Sequence, residues 1–484
     1  MRGASIVRDW TVRASLLIVF AVAAGCFHPS PPEGAPCNAN NECPSPLGCF
    51  GGFCTKSPAD GAAIADAPMG IPDSFSVPDA DLSCTCSSAT KLTCSGSTID
   101  CPLGCVSPPS GARCTQIVPS NGIDVVLATT VSATVDLSGA AIFNTDTGEI
   151  TGAITRAAGE GVIGNIGFAK QTFQLHQIGV FVISALTIQP TGTLRFKGAN
   201  AAALLVRHTI TIGGEIDASA GCGQTDRGCA GPGGGRGLRS GATEDPCGGG
   251  NGAVDPNSTG DGGGGGGGGA TIGGAGSTAG SFLGGHPGAA CLPATLEPLA
   301  GGGGGGGGGL GSLAMGPLGG GGGGGVQITA LEGIAISGAI TANGNGGERG
   351  LPAVLDASAA SGGGAGGGIL LEAPAIAYTA TAILVANGGG GGGAANGTSV
   401  GTDGEDGHRD SSPALGGTAA PAPSMPGGAG GANTTLPVSA ANTTNTANGG
   451  GGGGAAGRIF TRGTVSGGAM VVSPPAGSGP LLTQ

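Results

Sequence analysis

Aromatic side chains are scarce in this chain of 484 residues, with one Trp, one Tyr and twelve Phe. That scarcity excludes a helical or α/β enzyme built around a broad aromatic core. It also removes the usual stacking platforms for sugars. Charge is scarce as well. Asp, Glu, Lys and Arg make up 10% of the residues, and the formal net charge is −12. With only 18 Lys and Arg, nucleic acid is excluded as a partner. The five histidines (His28, His176, His208, His286 and His408) are scattered. No Cys-x-x-Cys pair accompanies them, so no zinc site is expected. No stretch of helical length carries apolar residues at i, i+3, i+4 and i+7, and no strict Gly-X-Y period runs through the chain.

What the chain has instead is glycine: 111 residues, about one in four against an average near 7%. Its apolar fraction is still 39%, too high for a charged disordered chain.

Residues 1–25 read as an export signal, with Arg2, Arg8 and Arg13 ahead of an apolar run at 14–24. That run is too short to span a bilayer comfortably. It ends at Ala23-Ala24-Gly25-Cys26, which resembles a bacterial lipobox, and Cys26 is expected to be lipidated. The membrane, reached through this anchor, is then one partner, and the location is the cell envelope, at the outer membrane or the cell surface. Setting Cys26 aside, the other 14 of the 15 cysteines form an even set, suited to disulfides in an oxidising compartment.

Two cysteine-rich modules come next. The first occupies residues 26–54 with Cys37, Cys43, Cys49 and Cys54, and is too short to hold a core without cross-links. A linker rich in Pro, Ala and Asp follows at 55–83. The second module, 84–116, holds Cys84, Cys86, Cys94, Cys101, Cys105 and Cys114, and six cysteines allow fifteen pairings. Four further disulfide candidates, Cys222, Cys229, Cys247 and Cys291, lie in a glycine-rich insertion.

Residues 117–484 change texture to short β-branched segments, and an internal repeat appears. One copy carries Ile178, Val180 and Val182, then Leu186 and Ile188, then Leu194 and Phe196. The next carries Leu204 and Val206, then Ile210 and Ile212, then Ile216. A third runs through Ile328, Ile334, Ile336 and Ile340, and a fourth through Ile369, Leu371, Ile376 and Leu384. A weaker fifth starts at Ile459. One copy cannot bury its apolar face, whereas stacked copies can. The expected fold is therefore all-β: a parallel β-helix, or β-solenoid, with polyglycine loops, preceded by the small disulfide-rich modules. A β-sandwich of similar strands is the alternative.

Polyglycine runs occupy 262–269, 301–309, 319–325, 388–393 and 449–454. Ordering a residue costs roughly 1–2 kcal/mol, and a backbone hydrogen bond returns about 0.5–1.5 kcal/mol. The two are close to balance. Side-by-side three-fold extended helices, bonded across, are one outcome and disordered loops the other.

The alternation of polyglycine with Ile-x-Ile…Gly-x-Ile-x-Ala-Asn-Gly, as at Ile334, Ile336, Gly338, Ile340, Ala342, Asn343 and Gly344, resembles glycine-rich exported lipoproteins of myxobacterial type and glycine-repeat surface proteins of mycobacteria. It is also similar to phage tail-tip adhesins and some receptor ectodomains, which present variable loops on packed polyglycine helices. The resemblance covers residue 179 onward. It implies a surface or envelope role and lends no catalytic residue.

Two chemical motifs stand in the C-terminal part of the chain. Gly397-Thr398-Ser399-Val400-Gly401 has the spacing of a nucleophile elbow, but polyglycine precedes it and a Pro/Gly loop follows, where a strand and a helix are required. Asp403, Glu405 and Asp406 form a weak calcium candidate without the ordered ligand spacing of a known loop. No cofactor and no catalysis are expected. The role expected is structural or adhesive, with other envelope proteins or extracellular polysaccharide as further partners. The alternative is a β-helix protein that binds or degrades polysaccharide, for which the repeats offer Arg195, Lys197, Arg207, Glu215, Asp217, Glu332 and Glu372.

Overall fold

The computed structural model describes residues 47–50, 53–56 and 84–484, with short gaps at 102, 109–110, 222–225, 243–245, 257–259, 312, 314, 355, 445–446 and 469. The leader, Cys26, Cys37, Cys43, Cys222 and the linker from 57 to 83 lie outside the described residues. The chain divides into two compact units, Met1–Pro78 and Asp79–Gln484. In the first, antiparallel strands Leu47–Phe50 and Phe53–Lys56 set Cys49 opposite Cys54.

The second unit opens with the second cysteine module. Strands Cys84–Ser88, Lys91–Cys94 and Ser97–Asp100 form an antiparallel sheet, beside the short pair Cys105–Val106 and Arg113–Cys114. Of the fifteen pairings, the module adopts Cys84–Cys94, Cys86–Cys105 and Cys101–Cys114. The cysteines themselves pack around Leu92, Cys101 and Ala112 as the module's core.

From there the chain is nearly all-β. The only helical segments among the described residues are two 3-10 turns, Ser120–Gly122 and Val125–Thr130. The sheets are mixed, with the parallel strands in a curled half-barrel. Like segments of successive repeats pair in parallel. Phe181 stands beside Leu204, Leu204 beside Ile328 and Ile328 beside Leu371. A second row runs Leu186, Ile210, Ile334, Ile376, and a third Leu194, Ile216, Ile340, Leu384. All of these side chains are buried in one continuous apolar core, and each fully buried aliphatic contributes about 1.5–3 kcal/mol.

Strands Ala201–Val206 and Gly325–Ala330 are buried along their whole length. Their outward faces are covered by Ile123, Ala128 and Val131 on one segment and by Leu292, Leu296 and Leu299 on another. Two-sided burial explains why Ala201–Val206 is continuously apolar instead of alternating. At the N-terminal end, Phe143, Phe168, Phe181 and Phe196 pack with ring centroids 4.8–6.2 Å apart. The buried guanidinium of Arg156 donates to the carbonyls of Ile166, Gly148, Ala157 and Gly161 beside them.

Between repeats the chain leaves the strands in excursions at 218–324, 342–367 and 386–457, which hold most of the polyglycine. These runs are ordered and buried. Their hydrogen bonds rotate with a period of three. Along 262–268, the N–H groups of Gly262, Gly265 and Gly268 donate to Ala253, Gly250 and Cys247. Those of Gly263 and Gly266 donate to Ser277 and Gly274, and those of Gly264 and Gly267 to Ala360 and Gly363, all at 2.8–2.9 Å. The carbonyls rotate likewise. Gly309, Gly306 and Gly303 donate to Gly262, Gly265 and Gly268, Gly285 and Gly288 to Gly263 and Gly266, and Gly452 and Ala455 to Gly264 and Gly267. One run thus bonds six neighbours, three through donors and three through acceptors. A three-residue repeat is that of a three-fold extended helix, and only glycine permits the approach. A Cβ on Gly264, Gly266 or Gly267 would collide with the carbonyl of Gly306, Gly453 or Gly303. Of the two outcomes open from composition, the bonded lattice is the one adopted.

Candidate functional site

The lattice fixes where its connecting turns emerge. At one end the glycine segments run into strands Gly325–Ala330, Gly368–Tyr378 and Arg458–Gly467. At the other, Ala253, Gly262, Leu283, Gly307 and Gly309 are joined by backbone hydrogen bonds or a single turn. A nine-residue run covers roughly 28 Å at about 3.1 Å per residue, so this outer end stands well away from the strands. It carries exposed aliphatics on five separate turns: Val254, Leu283, Met315, Val354 (83% exposed) and Val400. Scattered single exposed apolar residues are ordinary; these five stand on separate connecting turns of the lattice.

Carboxylates lie beneath these turns. Asp255, Asp261 and Asp356 are buried. Asp261 Oδ1 accepts from the Asp255 N–H at 2.7 Å, and the Asp261 N–H donates to Asn448 Oδ1 at 2.9 Å. Asp261 Oδ2 is buried without a hydrogen-bond partner. Burial pushes the Asp261 carboxyl up to about 6; the Asp255 backbone donor opposes the rise and the neighbouring Asp356 adds to it. Among the described residues no group of three His, Cys, Asp or Glu is placed to hold a metal ion.

A second feature is an open cleft of about 690 Å³ between strand Thr193–Lys197 and the start of the first glycine excursion. Arg195, Lys197 and Arg236 line it, over Ile142, Cys229 and Ala230. Alternation along the strand buries Leu194 and Phe196 and turns Arg195 and Lys197 outward. Arg195 Nε lies 3.6 Å from Asp217 Oδ2, and its Nη2 donates to the Gly221 carbonyl. Arg236 Nη2 lies 3.4 Å from Asp226 Oδ2.

The other sequence-derived candidates are dispersed. Asp403 and Asp406 face Arg227 at 3.5 and 3.0 Å, and Asp403 also faces Arg349 at 3.8 Å. The Gly346 and Arg349 amides donate to Asp406 and Asp403. Glu405 accepts from the Leu415 N–H and lies 3.0 Å from His408 Nε2. These carboxylates therefore pin the 402–408 segment to neighbouring glycine runs. Ser399 sits in a tight turn closed by its backbone bonds with Asn396, with no strand before it and no helix after.

Of the seven charged residues that could have lined a groove, Arg195, Lys197, Glu215 and Asp217 share one face, where Thr341 Oγ1 donates to both acids. Glu332 instead pairs with His208 at 2.6 Å. Glu372 is 1% exposed and belongs to no groove. It accepts from the Ser120 N–H and Oγ, Gln327 Nε2 and Thr329 Oγ1, and lies 3.6 Å from Arg462 Nε. Burial raises its pKa against the pull of those donors. Its role is to pin the 120–122 turn over the sheet, and nothing in the local sequence foretold that cover.

Cys247 and Cys291 are bonded to each other, and Cys229 is disulfide-bonded. No protein-family model, curated protein or solved structure matches this chain.

Proposed function

We propose that the chain is a lipid-anchored protein of the cell envelope or surface, with a structural or adhesive role. In this reading Cys26 carries the lipid, the two cysteine modules and the linker are a stapled tether, and the repeats from residue 117 onward are a β-solenoid. The parallel in-register rows from Phe181 to Leu371 and from Leu194 to Leu384 support the solenoid.

The observation that carries the adhesive role is the rotating hydrogen-bond pattern of the glycine runs. It spends most of the chain's glycine on a rigid slab whose outer turns expose Val254, Leu283, Met315, Val354 and Val400. A slab of that kind holds several turns at fixed spacing, so a partner meets a preorganised surface and little ordering entropy opposes binding.

Two measurements test the reading. Cys26→Ser should move the protein from the membrane to the soluble fraction; retention in the membrane contradicts the anchor. Replacing Leu283, Met315 and Val354 together by Ser should leave thermal stability within about 0.5 kcal/mol per site, since these side chains are exposed, while abolishing attachment of protein-coated beads to cells of the producing strain. Unchanged attachment contradicts the adhesive role of the outer turns.

A further inference from the structure

We propose that the open last rung of the stacked rows, residues 464–467 with Val471–Ser473, is an interface for a second copy of this chain, in which 464–467 pair antiparallel with the same residues across a two-fold axis. This goes beyond the envelope reading and uses neither the lipid nor the outer turns.

The two ends of the rows differ. At the N-terminal end, antiparallel strands close two of the three edges. Ile166–Phe173 covers His176–Ile183, and Ile150–Gly152 covers Ala140–Asn144. The remaining row starts at Thr134–Leu137, where Val135 and Leu137 are buried and Asp136 is exposed. Antiparallel cover and a charge on the edge both discourage further pairing. At the C-terminal end, Gly477–Gly479 covers only residues 460–462 of the last long strand. Residues 464–467 pair with 375–378, and Val471–Ser473 pairs with Ile383–Val385. Neither has a strand on its other side among the described residues.

The side chains of this rung show the same gap. Val465 stands in register with Ile376, and Val472 with Leu384; both earlier residues are buried in the core. Val465 is nonetheless 45% exposed, and Val472 and Met470 are only partly buried against that core. Stacked repeats need a cap on their last copy. From 463 to 484 the sequence holds no Asp, Glu, Lys, Arg or His, so the edge lacks the charges that commonly keep an edge strand from pairing.

The same lack selects the partner. A chain of net charge −12 repels its own copies, and two of them meet with least repulsion at an edge without charge. The covered N-terminal end cannot receive this edge, so the joint runs from like end to like end. A two-fold axis then gives each strand an identical antiparallel partner, self-complementary in its amides and carbonyls. The pairing covers Val465 as the preceding repeats cover Ile376.

The test is sedimentation velocity of the oxidised full chain carrying Cys26→Ser, so that no lipid drives association, across the micromolar range. The mass should rise from monomer to dimer with concentration and stop there. Amides of 464–467 should exchange more slowly in the dimer than in the dilute monomer. Val465→Lys and, separately, Ser466→Lys should each raise the dissociation constant about tenfold or more. The dilute variants should keep the parent's circular dichroism, since both side chains are exposed. Leu283→Ser, on an outer turn, should leave the dimer intact. A chain that stays monomeric throughout, or assemblies that grow past the dimer, overturn the proposal. So does a dimer that persists in the folded Lys variants or is dissociated by Leu283→Ser.

Discussion

The side-chain oxygen of Asn343 accepts a hydrogen bond at 2.7 Å from the backbone N–H of Asn387, the equivalent asparagine one repeat later. The contact belongs to a chain that runs across the repeats. Ser219 Oγ accepts from the Asn343 N–H at 3.0 Å, and Ser473 Oγ donates to Asn387 Oδ1 at 2.6 Å. The amide nitrogens of both asparagines donate to the His408 carbonyl, with Gly407 and Asp410 as further acceptors. This ladder stands where the strands end and glycine begins, so it couples the two architectures.

Asn387 is fully buried, and truncation would take the side-chain donor from the Asp410 carbonyl and the acceptor from the Ser473 hydroxyl proton, while the His408 carbonyl keeps Asn343 Nδ2. Each orphaned group costs about 1–3 kcal/mol. Asn387→Ala should therefore lower the free energy of unfolding by about 2–4 kcal/mol in a urea titration, and Asn343→Ala by a comparable amount.

The lattice tolerates no Cβ at its centre. On Gly362 a Cβ would meet the Gly265 carbonyl, which is backbone and has no room to withdraw. Gly362→Ala should cost more than about 4 kcal/mol, the range reserved for severe core lesions, and show as loss of expression or a large fall in melting temperature. At Gly397 nothing lies within 4 Å, and only a φ of +55° resists a side chain. Gly397→Ala should cost only about 1 kcal/mol. Equal effects at the two sites would mean that the runs are not packed against each other.

Asp261 makes stability depend on pH in the sense opposite to most carboxylates. Its folded pKa is about 6, above the ordinary value near 3.9. Between these values the folded chain holds the proton more tightly than the unfolded chain does, so stability falls as pH rises from about 4 to 6 and then levels off. The size of this contribution is on the order of 3 kcal/mol. Asp261→Asn keeps an acceptor for the Asp255 N–H and removes the buried charge. It should raise the melting temperature at pH 7 and have little effect at pH 4, as read by calorimetry at both pH values.

Much of the strand architecture was legible because aliphatic side chains encode register. Aligning Leu204, Ile328 and Leu371, or Ile216, Ile340 and Leu384, by spacing alone reproduces the pairs that the sheets make. The glycine lattice was legible only as a possibility. Glycine has no side chain to specify a neighbour, so nothing in the run 262–269 indicates that Gly264 bonds Ala360 and Gly265 bonds Gly250. Charged residues misled for a related reason. Glu372 looks like a surface residue in its strand, and its burial depends on the Ser120 turn, 252 positions away. Asp261 heads a glycine run and carries no local sign of burial, yet it is fully buried beside Asp255 and Asp356. Lys197 and Arg195 were recognisable as outward-facing, whereas Arg236, the cation opposite, comes from the excursion whose path the sequence does not encode.

Polyglycine bonded as firmly as the strands is tested most directly by amide hydrogen exchange read by mass spectrometry. Peptides covering 262–269, 358–368 and 388–393 should exchange as slowly as the one covering Gly325–Ala330. Exchange of those glycine amides within seconds, while the strand stays protected, would contradict it.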